Sequence, residues 1–279
     1  MKPVECFHIG PQKAATTWVY QCLEGHPEIA CPPEDTIHYF DIFYAKGREW
    51  YQQFFQEANP GQKLFDPTYT YIRSPWVPRR LVKENPDAKI ICSLRNPVDR
   101  AFSHYWHEKK KKKITFDFKE VLKNYDLFSS WVEPGFYAEH LERYLEHFHR
   151  EQLLCLPFRL LKRNDEEYLQ RILAFIEVDT SFQPSWIGKK ANEAGGRRTF
   201  TNAVWRRVRR RLEWIGQEEL VESIENAPMV GQWVRDRDEY EEGIDKTVRQ
   251  ELLQICEPEI QRTEALLNLD LSNWRDPAK

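Results

Sequence analysis

A lysine, two alanines and two threonines follow one another between a predicted strand and a predicted helix near the start of the chain. They belong to the segment Gly10-Pro11-Gln12-Lys13-Ala14-Ala15-Thr16-Thr17-Trp18. The N–H groups and the dipole at the start of a helix attract anions, and the lysine adds a point charge. The pattern indicates an anion site, although it lacks the Walker spacing G-x-x-x-x-G-K-[ST]. An ordinary strand-to-helix turn with a surface lysine is the alternative interpretation.

A second anion anchor is predicted where another strand ends. The apolar run Lys89–Leu94 leads into Arg95-Asn96-Pro97, and Ser103 follows on the outgoing helix. Ligands of open α/β sheets bind at the carboxyl ends of the strands, and arginine suits bidentate contacts with phosphate. A helix cap or an ion pair is the alternative role for Arg95. Two anchors in one fold indicate a ligand with two separated phosphates.

The elements that must position these residues alternate between strands and helices, which is typical of a parallel sheet flanked by helices. The predicted strands are Val4–Ile9, Leu64–Phe65, Lys89–Leu94 and Leu153–Phe158. Helices are predicted for Thr16–Leu23, Phe116–Tyr125, Gly135–Phe148 and Asp165–Ile176, from Ser74-Pro75 to Glu84, and from Asn96-Pro97 towards Lys113. We expect a long ordered loop at 179–198 and a mostly helical extension at 199–279, so that 1–279 form one α/β domain.

The two anchor segments resemble those of the sulfotransferases that use 3′-phosphoadenosine 5′-phosphosulfate (PAPS), in particular the bacterial and Golgi-type carbohydrate enzymes. IGPQKAATTWVYQCLEGHP is similar to the phosphosulfate loop of that family, and SLRNPVDRAFSHYWH is similar to its 3′-phosphate motif. Weaker matches follow in the expected order: IHYFD, DPTYTY, GFYAEHLERYLEHF, NEAGGRR and LDLSNW. The resemblance implies a single P-loop-type α/β domain and metal-independent, in-line transfer of a sulfuryl group from PAPS to an acceptor hydroxyl.

The resemblance also implies roles for individual residues. Lys13 would stabilise the transition state and the leaving group, and Arg95 and Ser103 would hold the 3′-phosphate. The 5′-phosphate would be held by Thr16 and Thr17 together with the neighbouring backbone of Ala14, Ala15 and Trp18. A late loop containing Gly196, Arg197 and Arg198 would cover the donor. Because alanines stand where the family often has glycines, we expect helix-compatible or extended backbone at Ala14 and Ala15.

The general base is less directly indicated. Related carbohydrate enzymes carry E-x-H-F-F, whereas Thr36 here occupies the position of the glutamate before His38. A histidine has an intrinsic pKa near neutrality, so His38 is one candidate. The carboxylates of Glu34, Asp35 and Asp66 are the others, and a buried histidine bonded to backbone is the structural alternative for His38.

Composition excludes some classes of protein and leaves others open. Lys and Arg number 41 against 44 Asp and Glu, for a net charge of -3, which argues against a uniformly basic nucleic-acid binder. No apolar run approaches the length of a membrane span, and we expect neither a signal peptide nor a nucleic-acid partner. The six cysteines show no C-x-x-C spacing, which favours a reducing compartment and a cytoplasmic location.

Two other functional classes stay open at this point. A P-loop-type kinase or other ATP-using transferase would share the anion site. A non-catalytic protein that binds anionic glycans or membrane surfaces would use the basic runs Lys109–Lys113 and Arg206–Arg211. A solvated helix face is the plainer interpretation of the lysine run. The acceptor of a sulfotransferase reaction, whether carbohydrate, lipid or small-molecule alcohol, is not indicated by these motifs.

Overall fold

Five parallel strands form the centre of the protein, in the order β2-β3-β1-β4-β5. The computed structural model describes residues 2–111, 113–188 and 243–276. The strands are β1 Cys6–Gly10, β2 Ile29–Ala30, β3 Lys63–Asp66, β4 Lys89–Leu94 and β5 Leu153–Pro157. From β1 the chain runs to one side of the sheet, forms β2 and β3, and then crosses to β4. The crevice between β1 and β4 is therefore the point where the strand order reverses, which is the usual ligand site of such sheets.

Helices cover both faces of the sheet. They are α1 Thr16–Glu24, α2 Arg48–Gln52, α3 Val77–Glu84, α4 Pro97–Lys110, α5 Tyr125–Trp131, α6 Tyr137–Leu145, α7 Phe158–Arg163, α8 Asp165–Phe175 and a C-terminal helix Lys246–Leu267. Successive side chains of β1 point to opposite faces of the sheet, so they belong to two separate core clusters. Phe7 and Ile9 pack with α4, α6 and the C-terminal helix. Cys6 packs on the opposite face with α1 and α8. The sheet is thus buried on both sides, as expected for parallel strands.

The α/β fold with a parallel sheet is confirmed, and so is the predicted start of α4. Asn96 accepts hydrogen bonds from the backbone N–H groups of Val98 and Asp99, at 2.9 and 3.2 Å, and Pro97 is the first helical residue. This geometry satisfies two N–H groups that have no partner within the helix. Arg95 thus follows directly on the carboxyl end of β4, and Ser103 lies within α4.

Two predictions of secondary structure were wrong, and two elements were not predicted. Helix α3 begins at Val77 and not at Ser74-Pro75, because Ser74 closes a turn with Val77 and Pro78 takes the early helical position. The continuous helix predicted for Phe116–Tyr125 is a 3₁₀ turn, Phe118–Leu122, followed by α5. The side chain of Asn124 interrupts the two by capping α5. The sequence patterns also missed the short strand β2 and helix α7, which follows β5 directly.

The C-terminal helix belongs to the same core as the sheet. Leu252, Cys256 and Ile260 are buried among residues of the larger core cluster. The helix ends at Asn268, whose φ of 52° is the left-handed conformation common at helix ends. The helix and the sheet therefore share one core. Residues 189–198 of the predicted loop and 199–242 of the predicted helical extension, which include the Arg206–Arg211 run, lie outside the described residues, so a single domain over 1–279 stays a prediction.

None of the helices in the described part of the chain combines the length and apolar character that a membrane crossing requires. All six cysteines are free thiols, and Cys31 is the one that is not fully buried.

Candidate active site

The predicted donor and acceptor residues lie along one edge of the sheet, at the carboxyl ends of its strands. The segment containing His38 follows β2, Tyr69 and Thr70 follow β3, the Lys13 loop follows β1 and Arg95 follows β4. Gly10, at the end of β1, lies directly against the segment that follows β3, since a Cβ at this position would be 2.0 Å from the carbonyl oxygen of Tyr69. With its φ of 106°, this position requires glycine. The geometry therefore places the possible base beside the anion loop.

The Lys13 loop has a backbone that differs from our expectation. Ala15 has a φ of 72° and Lys13 a φ of 71°, so both are left-handed, and the expected helix-compatible or extended backbone at Ala15 was wrong. This conformation costs an L-residue about 1–2 kcal/mol. When residues of left-handed and right-handed backbone conformation follow one another, however, successive N–H groups point towards one concave side. Helix α1 has no side-chain cap and no acidic residue in its first turn. Its N-terminus is therefore suited to an external anion.

Arg95 joins the end of β4 to the loop. Its Nη1 donates to the carbonyl oxygen of Lys13 at 2.8 Å, and its guanidinium lies 5.0 Å from the centre of the Phe158 ring. Its backbone is fixed by Tyr137, whose hydroxyl accepts from the Arg95 N–H at 2.9 Å and donates to the Arg95 carbonyl at 2.7 Å. The structure thus brings the two predicted anchors, Lys13 and Arg95, into direct contact.

The other predicted donor residues surround these anchors. Ser103 and Thr16 are nearly buried, on α4 and at the start of α1. Thr17 is more accessible. The Trp18 side chain is buried and packs edge-on against Tyr168, with ring centres 6.0 Å apart. Gly196, Arg197 and Arg198 lie outside the described residues, and their role stays a prediction.

Positive charge is concentrated around Lys13. Burial, with a smaller contribution from the neighbouring charges of Arg95, Lys111 and Lys110, lowers the pKa of Lys13 to about 8. On α4, burial together with charges that include Lys13 lowers the pKa of His104 to about 3 and that of His107 to about 4. Both histidines are therefore neutral near pH 7. A cluster of this kind repels itself until an anion binds.

His38 lies in a hydrogen-bonded group with Asp41 and Thr70. Its Nδ1 is 3.3 Å from Oδ2 of Asp41 and 3.0 Å from Oγ1 of Thr70, whose hydroxyl donates to the same carboxylate. A carboxylate only accepts, so Nδ1 carries the proton and Nε2 keeps its lone pair. The hydrogen bond to Asp41 raises the pKa of His38 above its ordinary 6.5. The side chain is partly exposed, which separates it from a fully buried structural histidine.

Side chains of the D-P-T-Y-T-Y stretch hold the backbone of the His38 segment by hydrogen bonds. The Thr68 hydroxyl accepts from the N–H of Ile37 at 2.9 Å, and the Tyr71 hydroxyl accepts from that of Tyr39 at 3.1 Å. Asp66 in turn accepts from Tyr51 at 2.7 Å and from Tyr71 at 3.0 Å. Asp66 is wholly buried, and burial raises its pKa.

The two remaining carboxylates differ in position. Asp35 lies close enough to His38 and Tyr69 to contribute to the raised pKa of both side chains. Glu34 is exposed. The sequence interpretation did not assign Asp41, although an acid three residues after a histidine was a detectable signal. It also passed over Arg100, His104 and His107, whose proximity to the loop depends on the packing of α4.

No group of three or more potential metal ligands occurs within the described ranges. The fold and these residues together define a class of protein, an α/β protein with a P-loop-like strand-to-helix loop and an adjacent histidine–carboxylate pair. The sulfotransferase domain family matches residues 5–203 of the chain. The chain therefore belongs to this family of PAPS-dependent enzymes, and the family resemblance of the motifs is confirmed.

Named relatives are consistent with this assignment. Bifunctional heparan sulfate N-deacetylase/N-sulfotransferase 1 of Xenopus laevis is 32% identical over 189 residues, which are 61% of this chain and 22% of that protein. The human form is also 32% identical over 189 residues, covering 61% of this chain and 21% of that protein. The chain thus corresponds to a small part of these relatives.

A solved structure extends the similarity of fold. The crystal structure of a sulfotransferase from Alicyclobacillus acidocaldarius superposes with a TM-score of 0.72 at 24% identity. The match covers 99% of this chain and 100% of the other. The fold similarity therefore reaches beyond the residues that the family match spans.

Proposed function

We propose that this chain transfers a sulfuryl group from PAPS to an acceptor hydroxyl. The observation that carries the proposal is the hydrogen bond between Arg95 and the Lys13 carbonyl, which joins two cationic anchors at the crevice between β1 and β4. A donor with phosphates at both ends of its nucleoside needs two such anchors. Family membership favours this reading over an ATP-using transferase or a non-catalytic anion-binding protein.

The residues fit the donor. The left-handed backbone at Lys13 and Ala15 and the uncapped start of α1 suit the sulfate-bearing 5′ end, with Thr16 and Thr17 beside it. Arg95 and Ser103 would hold the 3′-phosphate. When bound, PAPS supplies the sulfuryl group, and 3′-phosphoadenosine 5′-phosphate (PAP) is the product. Lys13 contributes positive charge where negative charge develops, which is the largest catalytic effect available to such a site.

We assign the general base to His38. Asp41 and Thr70 hold its Nδ1, so that Nε2 is the atom that accepts the proton of the acceptor. Asp66 supports the segment through Tyr71 and is enclosed by its own donors, which suits a positioning role. Asp35 is the next candidate because it lies near His38, and Glu34 is the least supported.

An amine acceptor is the second candidate reaction. The relatives of known name include N-sulfotransferases of heparan sulfate. A base with a raised pKa is suited to remove a proton from an attacking amine as well as from a hydroxyl. Assays with labelled donor against alcohols and amines of carbohydrate, lipid and small-molecule types distinguish the two.

A reducing compartment such as the cytoplasm suits the six free thiols.

Ligand-induced stabilisation tests the donor assignment. We expect PAP without magnesium to raise the melting temperature, since a ligand that binds only the folded state stabilises it. Arg95→Ala and Ser103→Ala should each reduce that shift. ATP with magnesium acting more strongly than PAP would favour a kinase, and a response to heparin alone would favour a non-catalytic binder. An unchanged PAP response in both variants would remove our placement of the 3′-phosphate.

Replacing His38 by alanine should lower kcat by at least about tenfold, because general-base catalysis contributes about 10²–10⁴. Binding of PAP, measured by calorimetry, should change little. Asp41→Asn should retain more activity than His38→Ala. It should also move the acid limb of the pH–rate profile to lower pH, since the carboxylate raises the pKa of His38. Near wild-type turnover of His38→Ala would transfer the role to a carboxylate such as Asp35.

Binding of PAP near pH 8 should take up protons. The pKa of Lys13 is about 8 in the free protein, and a bound anion raises it, so about half a proton should enter per site at that pH. Calorimetry in two buffers of different ionisation enthalpy measures the uptake. Lys13→Met is the matched control and should abolish it. Equal uptake in the variant would assign the proton to another group.

A further inference from the structure

Arg100 is a fully buried arginine next to the anion loop. It lies on α4 between Asn96 and Ser103, and it is among the largest fully buried side chains of the described residues. Its Nη1 donates to the carbonyl oxygen of Gln12 at 3.3 Å, and its Nη2 donates to that of Trp131. Its buried Nε has no hydrogen-bond partner. The guanidinium thus bonds only backbone carbonyls in the part of the chain that the structure describes.

The charge of Arg100 is kept without a carboxylate in contact. Asp99, its neighbour in the sequence, is held instead by Nη1 of Arg249 on the C-terminal helix, at 2.8 Å. Burial lowers the pKa of Arg100 to about 10, so the side chain is still charged at neutral pH. A buried charge without a counterion is costly, and an anion in the adjacent loop would compensate it.

The contact with Gln12 also orients the loop. Arg100 donates to the carbonyl oxygen of Gln12 and Arg95 donates to that of Lys13, so the C=O groups of two successive peptide units each face an arginine. In a trans peptide the N–H group points opposite to the C=O group. The N–H groups of Lys13 and Ala14 therefore point away from the two arginines. This is the orientation that an anion-binding concavity needs.

We propose that Arg100 is a positioning residue for the donor, which acts by holding the Gln12–Lys13 peptide and by supplying a buried positive charge to the loop. The inference rests on the proposed function, because the ligand is PAP or PAPS. It adds a residue of α4 that neither touches the reacting atoms nor belongs to the two anchors. A purely structural arginine would stabilise the fold without affecting the affinity for the nucleotide.

Arg249 provides a matched control for that distinction. It is also a buried arginine with an unpartnered Nε, and it contacts the residue next to Arg100, but it does not reach the loop. The variants Arg100→Met and Arg249→Met remove one buried guanidinium each. Both should lower the melting temperature. Only Arg100→Met should weaken PAP binding.

The experiment measures the Kd of PAP by calorimetry well below the melting temperature of each variant, with PAPS and acceptor KM values alongside. We expect Arg100→Met to raise the Kd of PAP and the KM of PAPS at least tenfold, with the acceptor KM unchanged. Arg249→Met should stay within twofold of wild type. An unchanged Kd in Arg100→Met, or an equal loss in Arg249→Met, would overturn the proposal.

A conservative variant covers the case in which Arg100→Met does not fold. Arg100→Lys keeps the charge but cannot reach two carbonyls at once, so we expect a Kd of PAP between that of wild type and a tenfold loss. A Kd equal to that of wild type would show that the fork geometry has no role and would overturn the proposal. Absence of PAP binding by the wild-type protein would instead contradict the proposed function itself.

Discussion

Replacing Lys13 by methionine will lower kcat by about 10²- to 10³-fold, the range found when one preorganised charge stabiliser is removed from an active site. Methionine keeps most of the aliphatic length of the side chain and removes the charge. Burial is the main cause of the lowered pKa of Lys13, and the charges of Arg95, Lys110 and Lys111 contribute to it. Lys13 is therefore a cation surrounded by other cations. Steady-state kinetics with saturating PAPS measures the effect.

Lys63→Met is a suitable control for this experiment. Lys63 is the first residue of β3 and lies at the amino end of that strand, away from the site. Its ammonium donates to the carbonyl oxygen of Ile176 at 2.7 Å. Its loss should leave kcat within twofold of wild type. If Lys13→Met raised only the KM of PAPS, the lysine would bind the ground state and the transition state equally. That result would contradict its assignment to leaving-group stabilisation.

The protein will lose stability steeply as the pH falls below 6. Burial lowers the pKa of His8 to about 3, of His104 to about 3 and of His140 to about 4. In the unfolded chain these groups titrate near 6.5, so the unfolded state binds more protons between the two pKa values. Each fully buried histidine then costs about 1.4 kcal/mol of unfolding free energy per pH unit. Their effect is absent above pH 7.5, where both states are neutral.

Urea unfolding at pH 7.5, 6.0 and 5.0 tests this dependence. His38 does not oppose it, because below pH 6 His38 is protonated in both states, given its raised pKa. His8→Gln should reduce the slope by about one proton, or about 1.4 kcal/mol per pH unit. Glutamine keeps a polar group near Ser93, to which the His8 ring is bonded at 2.9 Å. A midpoint independent of pH between 7.5 and 5.0 would show that these histidines are protonated in the folded protein.

Much of the fold followed from local patterns. Strands β1, β4 and β5 are runs of buried apolar residues, and the Asn96-Pro97 pair starts α4 as expected from capping. The short strand β2 and helix α7 escaped detection because each depends on contacts with its neighbours more than on its own periodicity. Ser74-Pro75 gave a wrong start for α3, since Pro78, three residues after Pro75, is an equally good early helical residue.

The site divides in the same way. Lys13, Thr16, Thr17, Arg95 and Ser103 could be selected from the sequence, because the segments that carry them follow strand ends and are similar to motifs of a known family. The strand order decided that the ends of β1 and β4 are neighbours, and thereby that the Arg95 side chain reaches the Lys13 carbonyl.

The chemistry of individual side chains depended on the tertiary structure. The pairing of His38 with Asp41 and Thr70 unites segments that follow different strands, and only packing reveals that Arg100 grips the loop from within the core. The sequence by itself determined the residue types and the alternation of strands and helices, because both are written in local spacing. Hydrogen-bond partners, burial and the resulting pKa shifts arise between residues far apart in the chain, and only the folded structure decided them.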